Sequence, residues 1–249
     1  MTYFKYKDKK VYYREYGFGQ PLLMLHGNSV SSKMFDSIID LYKDEYKVIL
    51  IDFLGHGKSD RVKDFPTDFW YDQCQQVIAF CEFKGYNKVH ILGSSGGALS
   101  GINVALERPD LVGKLIADSF EGTKSEDYFA GQVQEERDAS KKDAGAIGFW
   151  TYMHGEDWTQ VVDADTKVII KHHKEIGQFF HKPISDLKVE TLLIGSSEDE
   201  YCLDIEDVYD ELSKNIKHAS VHIFEKGSHP SVITCAEEFY HIAREFYKK

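Results

Sequence analysis

Ser95 lies in the stretch His90-Ile91-Leu92-Gly93-Ser94-Ser95-Gly96-Gly97-Ala98-Leu99: an apolar run, a Gly-x-Ser-x-Gly pattern, then small and apolar helix-forming residues. A serine held on a sharp strand-to-helix turn presents its hydroxyl outward, where it can attack an acyl carbon. Such a turn crowds the positions two before and two after the serine. Centred on Ser95, those places fall to Gly93 and Gly97; centred on Ser94, one would fall to Leu92. Ser95 is therefore the candidate nucleophile. A helix starting at Gly96 would also aim free N–H groups and its positive dipole end at the place where an oxyanion forms.

A serine nucleophile needs a base, and the base needs an orienting acid. In a strand–elbow–helix architecture these follow the serine as acid, then histidine. Of the eleven histidines, His229 stands out because Glu225-Lys226-Gly227-Ser228-His229-Pro230 directly follows the last apolar strand. Asp199, in Gly195-Ser196-Ser197-Glu198-Asp199-Glu200 after the penultimate strand, is the first candidate for the acid. Its neighbour Glu198 stays open, and Asp118 in Ile116-Ala117-Asp118-Ser119 is a distinct rival. Two backbone N–H groups would complete an oxyanion hole. One is Gly96, after the nucleophile; the other is Asn28, in His26-Gly27-Asn28-Ser29. His26 and His56 read as loop-shaping residues. His172, His173 and His181 fall in a polar stretch, and His218 and His241 read as surface residues.

These residues must be carried by elements that bring them together. Residues 3–6 and 11–16 alternate about a turn and suggest an opening hairpin. Leu22–Leu25, Val48–Ile51, Val89–Leu92, Leu115–Ala117, Thr191–Ile194 and Val221–Phe224 read as short buried strands. Helices are expected over 31–42, 69–84, 96–107, 204–214 and 232–247. Strands alternating with helices imply a mostly parallel sheet covered on both faces. The rhythm fails over 121–182, where no strand is evident and helices are expected near 124–142 and 157–180. That stretch reads as a cap inserted above the carboxyl ends of the strands, between core segments 1–120 and 183–249.

Composition narrows the classes. The chain has 249 residues, 42% hydrophobic and 29% charged, ordinary for one large globular α/β domain with an insertion. A formal charge of -11 argues against nucleic acid or an anionic membrane as partner. The N-terminal residues lack the apolar core of a secretory signal, so a cytoplasmic location is expected. Cys74, Cys81, Cys202 and Cys235 are scattered without metal-ligand spacing; Cys74 and Cys81 share a helix face and read as buried fillers.

As a set, these residues resemble the α/β-hydrolase superfamily over nearly the whole chain. The marks are His26-Gly27-Asn28, the turn Asp52–Asp60 containing Gly55-His56-Gly57-Lys58-Ser59, the elbow Gly93–Gly97, Asp199 after a late strand and His229 after the last. The acid loop departs from the pattern, with one residue more between Gly195 and Asp199 than the commonest family spacing. The resemblance implies the α/β-hydrolase fold: a doubly wound, mostly parallel eight-stranded sheet under a helical lid. It further implies a triad of Ser95, His229 and Asp199, a small-molecule acyl substrate, no cofactor and no metal. A serine at the elbow argues against dehalogenase and epoxide hydrolase chemistry, which use aspartate there. Carboxylic ester hydrolysis requires nothing beyond triad and oxyanion hole and comes first. C–C bond, thioester or lactone hydrolysis remains open, as does a ligand-binding receptor with little turnover. Because the base must be neutral, the rate is expected to rise with pH through about 6 to 7, near an ordinary histidine pKa.

Overall fold

Successive side chains of a strand face opposite ways, so the apolar runs 22–25 and 48–51 supply two separate cores. In the computed structural model, which describes residues 2–248, Leu22, Met24, Val48 and Leu50 join one core. Leu23, Leu25, Ile49 and Ile51 join the other. The strands are β1 (Thr2–Tyr6), β2 (Lys9–Tyr16), β3 (Gln20–Leu25), β4 (Tyr46–Ile51), β5 (Val89–Ser94), β6 (Val112–Asp118), β7 (Glu190–Ser196) and β8 (Ala219–Phe224). They form one eight-stranded sheet in the order β1-β2-β4-β3-β5-β6-β7-β8. β2 pairs antiparallel with β1 and β4, and the later neighbours pair in parallel. Both expected faces are therefore covered, and the sheet is the one the alternation implied.

The helices are α1 (Ile39–Tyr42), α2 (Phe69–Lys84), α3 (Gly96–Glu107), α4 (Asp127–Ser140), α5 (Ala144–His154), α6 (Trp158–Glu175), α7 (Ile205–Asn215), α8 (Ser231–Thr234) and α9 (Ala236–Lys248). Val77 and Phe80 of α2, Leu99 and Ile102 of α3 and Tyr209 of α7 pack on one face of the sheet. Tyr42 of α1 and Phe239 and Phe246 of α9 pack on the other. No helix among the described residues is long and apolar enough to cross a membrane. Cys74 and Cys81 are buried and unbridged.

Four expectations change. The helix expected over 31–42 is a 3-10 turn, Ser32–Phe35, followed by the single turn α1. Backbone bonds from Asp36 to Lys33 and from Ile38 to Phe35 close three-residue turns instead. The helix expected over 232–247 breaks at Cys235, where the Thr234 hydroxyl donates to Ser228 O and the Cys235 thiol to Lys226 O. Side chains that bond back to the preceding loop divide α8 from α9. Between β6 and β7 there are three α-helices, of which the segments 124–142 and 157–180 singled out in the sequence account for α4 and α6. The missed one, α5, opens with the Asp143 carboxylate accepting from Ala146 N–H. Its two glycines and clustered aromatics blur the helical period. His172, expected in a polar stretch, is buried between the rings of Trp70 and Phe179.

Candidate active site

The turn between β5 and α3 is as tight as its glycines suggest. Ser95 has φ 57° and ψ −124°, a conformation that costs a non-glycine residue about 1–3 kcal/mol. A Cβ at Gly93 would lie 2.3 Å from Gly97 O, and one at Gly97 would lie 2.0 Å from Leu25 O. Any side chain at either position would open the turn. The backbone is pinned on both sides: Ser95 N–H donates to Asp118 O at 2.8 Å, and Ser95 O accepts from Ala98 N–H at 2.8 Å.

β5 and β8 stand three places apart in the sheet, about three spacings of roughly 4.8 Å. The loop after β8 must therefore run back across β7 and β6 before His229 can approach Ser95. Asp118, at the end of β6, secures that return. Its carboxylate accepts from Ser231 Oγ at 2.6 Å, just beyond His229, and from Ser94 Oγ at 2.8 Å, just before Ser95. Ser119 Oγ also donates to it, at 3.0 Å. Burial pushes the Asp118 carboxyl up to about 6, against these hydroxyl bonds. No hydrogen bond joins Asp118 to the imidazole among the described residues.

Asp199 is the carboxylate that meets His229. Nδ1–H of the imidazole is bonded to Oδ2 at 2.9 Å and lies 3.1 Å from Oδ1. Oδ1 also accepts from the N–H groups of Tyr201 and Cys202 at 3.0 and 2.9 Å. The neighbouring glutamates hold backbone instead: Glu200 accepts from His229 N–H at 2.9 Å, and Glu198 from Gly227 N–H at 3.3 Å. Burial alone would lower the His229 pKa, but the bond and charge of Asp199, with the charges of Asp118 and Glu200, outweigh it. The result lies above the ordinary 6.5. The expected midpoint near an unperturbed histidine therefore moves upward. Burial would raise Asp199, yet His229 and the loop N–H groups hold it below 3.8.

Nε2 of His229 faces away from Asp199 and engages no other protein group among the described residues. Ser95 and His229 line one cavity of about 310 Å³ without a hydrogen bond between them. Asn28 and Gly96 line it too. As the first residue of α3, Gly96 has no helical carbonyl to receive its N–H. No protein group among the described residues accepts from the Asn28 N–H. The Asn28 side chain is fixed by Trp70 Nε1–H, which donates to Oδ1 at 3.1 Å, a contact nothing in the local sequence announces. Cys202 also reaches this place: one ligand atom each from Cys202, Asp199 and His229 lie within 4.8 Å of one another. Burial pushes the Cys202 thiol well above its ordinary pKa, which favours the protonated, poorly ligating form.

A second polar cluster joins the inserted helices to the sheet. Asp165 of α6 is fully buried; Oδ1 accepts from Arg137 Nη1 at 2.6 Å, and Oδ2 from Ser29 N–H at 2.9 Å. His56 Nε2 lies 3.1 Å from the same Oδ2, and its Nδ1 3.2 Å from Leu54 O. His154 of α5 accepts from Gly57 N–H through Nδ1 and donates through Nε2 to Ser29 O, at 3.1 and 3.0 Å. Burial pushes its pKa down to about 3, consistent with that neutral tautomer. His26 shapes its loop by donating from Nδ1 to Gly27 O and accepting from Phe53 N–H at Nε2. Sequence reasoning missed Asp165, Arg137 and His154. Asp165 did leave a signal, since Val161, Val162, Asp165, Val168 and Ile169 put a carboxylate on the apolar stripe of a helix.

Comparison with known proteins bears on the family and the fold. The chain is 25% identical over 271 residues to a 2-hydroxy-6-oxononadienedioate/2-hydroxy-6-oxononatrienedioate hydrolase from Burkholderia vietnamiensis, covering 97% of this chain and 92% of that one. It is 32% identical over 106 residues to haloalkane dehalogenase 2 of Mycobacterium bovis, covering 41% of this chain and only 36% of the dehalogenase. In fold it is similar to an esterase from Exiguobacterium antarcticum, with TM-score 0.79 and 21% identity over 100% of this chain and 99% of that one. Residues 22–242 match the alpha/beta hydrolase family. The chain belongs to that family.

Proposed function

We propose that this protein is a serine hydrolase that cleaves a small carboxylic ester, with Ser95 as nucleophile, His229 as base and Asp199 as its orienting acid. The observation that carries this reading is the bond from His229 Nδ1 to Asp199, which leaves Nε2 free on the cavity that Ser95 lines. Neutral His229 takes the Ser95 proton as Oγ attacks the carbonyl carbon. The N–H groups of Gly96 and Asn28 receive the oxyanion. The imidazolium then protonates the departing alkoxide as the C–O bond breaks and the acyl-enzyme forms. Water, deprotonated by His229, hydrolyses that ester and returns Ser95. Asp199 keeps the proton on Nδ1 and stabilises the cation formed at each step. Asp118 acts as a positioning residue, through Ser94 and Ser231. Residues 121–182 serve as the cap that encloses the acyl compound.

C–C bond hydrolysis is the second reading, favoured by the full-length similarity to the dienedioate hydrolase. Incubation with p-nitrophenyl acetate and butyrate, beside a vinylogous diketo acid, separates the two. The ester reading expects nitrophenolate release well above Ser95→Ala and fluorophosphonate labelling at Ser95. Turnover no faster than the variant, or labelling elsewhere, overturns it.

A further inference from the structure

Arg137 is only 9% exposed, yet it lines the cavity with Ser95. Its Nη1 donates to Asp165 Oδ1 at 2.6 Å and to Thr166 Oγ1 at 2.9 Å. Nε and Nη2, which present the side-on fork of a guanidinium, have no hydrogen bond to protein among the described residues. Neither donor is fully enclosed by protein, and Asp165 engages Nη1 alone, its other oxygen serving Ser29 and His56. Two parallel N–H groups on a fixed cation match an oxyanion held through two oxygens, and beside Glu121 and Glu136 a singly charged carboxylate is repelled less than a phosphate. Asp165 holds the cation in place while leaving that fork clear.

We propose that the Nε/Nη2 fork of Arg137 binds a carboxylate on the substrate, so that this protein acts on acyl compounds bearing a free acid group. The inference rests on the hydrolase reading above and adds the substrate class. Glu121 and Glu136 line the same cavity and have no cationic partner among the described residues, so the competing preference is for an ammonium group. Burial, with the charge of Glu126, pushes the Glu121 carboxyl up to about 7, which weakens that competition near neutral pH.

The test compares kcat/KM for p-nitrophenyl hydrogen glutarate, its methyl ester and the matched trimethylammonio ester. The free acid should exceed its methyl ester by about tenfold or more. Arg137→Lys keeps a positive charge beside Asp165 but lacks the fork, and the ratio should fall to near one. Glutarate binding, followed by tryptophan fluorescence since Trp150 lines the cavity, should weaken about tenfold in the same variant without any turnover being needed. Preference for the methyl or ammonium ester, or an unchanged ratio in Arg137→Lys, overturns the inference while leaving ester hydrolysis intact. Glutarate binding that depends on Arg137, in a protein that turns over none of the three esters, sustains it and sinks the hydrolase reading alone.

Discussion

The strand ends and the inserted helices hold their polar residues by different means. At the strand ends, Ser95, Asp118, Asp199 and His229 sit at the termini of paired parallel strands or in the short loops beyond them, and backbone N–H groups or hydroxyls fix each carboxylate. In the insertion, Asp165 and Arg137 come from different helices and are fixed by each other and by His56. The first arrangement follows from sheet order, with backbone N–H groups and hydroxyls as the partners of its carboxylates. The second depends on a charge balance among residues far apart in the chain, because a buried ion without its partner is strongly destabilising.

Exchanging carboxylates tests this contrast most severely. Asp199→Asn should lower kcat by about ten-thousandfold, because it disturbs the imidazole tautomer. Asp118→Asn should instead show its main effect in the melting temperature, since its partners are hydroxyls. A larger kcat loss for Asp118→Asn than for Asp199→Asn would reverse the assignment. Asp165→Ala should cost about 3–5 kcal/mol in urea denaturation, with hydrogen exchange rising first in α4 and α6. An equal rise across β5 and β6 would erase the distinction between the two regions.

Acidity sharpens the comparison further. The rate should rise with pH about a midpoint above 6.5, because the raised pKa of His229 must be passed before the base is neutral. Asp199→Asn should bring the midpoint down. The contribution of that imidazole to folding runs the other way: it is full below the unfolded-state pKa and fades as pH climbs through the folded one. Activity and this part of stability therefore diverge in the same window, and a midpoint below 6.5 would contradict the Asp199 pairing. The smallest effect belongs to Trp70→Phe, which removes one neutral hydrogen bond from Asn28. A loss of about fivefold in kcat is expected; none at all would mean the Asn28 loop holds its place unaided.

The same contrast explains what could be read from the chain. Gly93 and Gly97 announce the elbow because a turn that sharp excludes side chains from both places. Asp199 and His229 could be placed because each loop follows an apolar strand, and strand order decides which loops are neighbours. The sequence ranks Asp199 ahead of Asp118 but cannot show that Ser94, Ser119 and Ser231 engage the rival carboxylate while Asp199 bonds His229. In the insertion, α5 escaped notice because Gly145 and Gly148 interrupt its pattern. Arg137 looked like one more charge on a polar helix, since its partners lie 28 and 29 positions away.

Ser29 carries a mechanical consequence. Its N–H is held by α6 through Asp165 and its carbonyl by α5 through His154, while the adjoining residue supplies the proposed second donor to the oxyanion. Swinging those two helices aside to admit a molecule would break both tethers or drag residue 28 with them. Any displacement of α5 or α6 would therefore reach residue 28 through these two bonds, and restoring both would return that corner to its place.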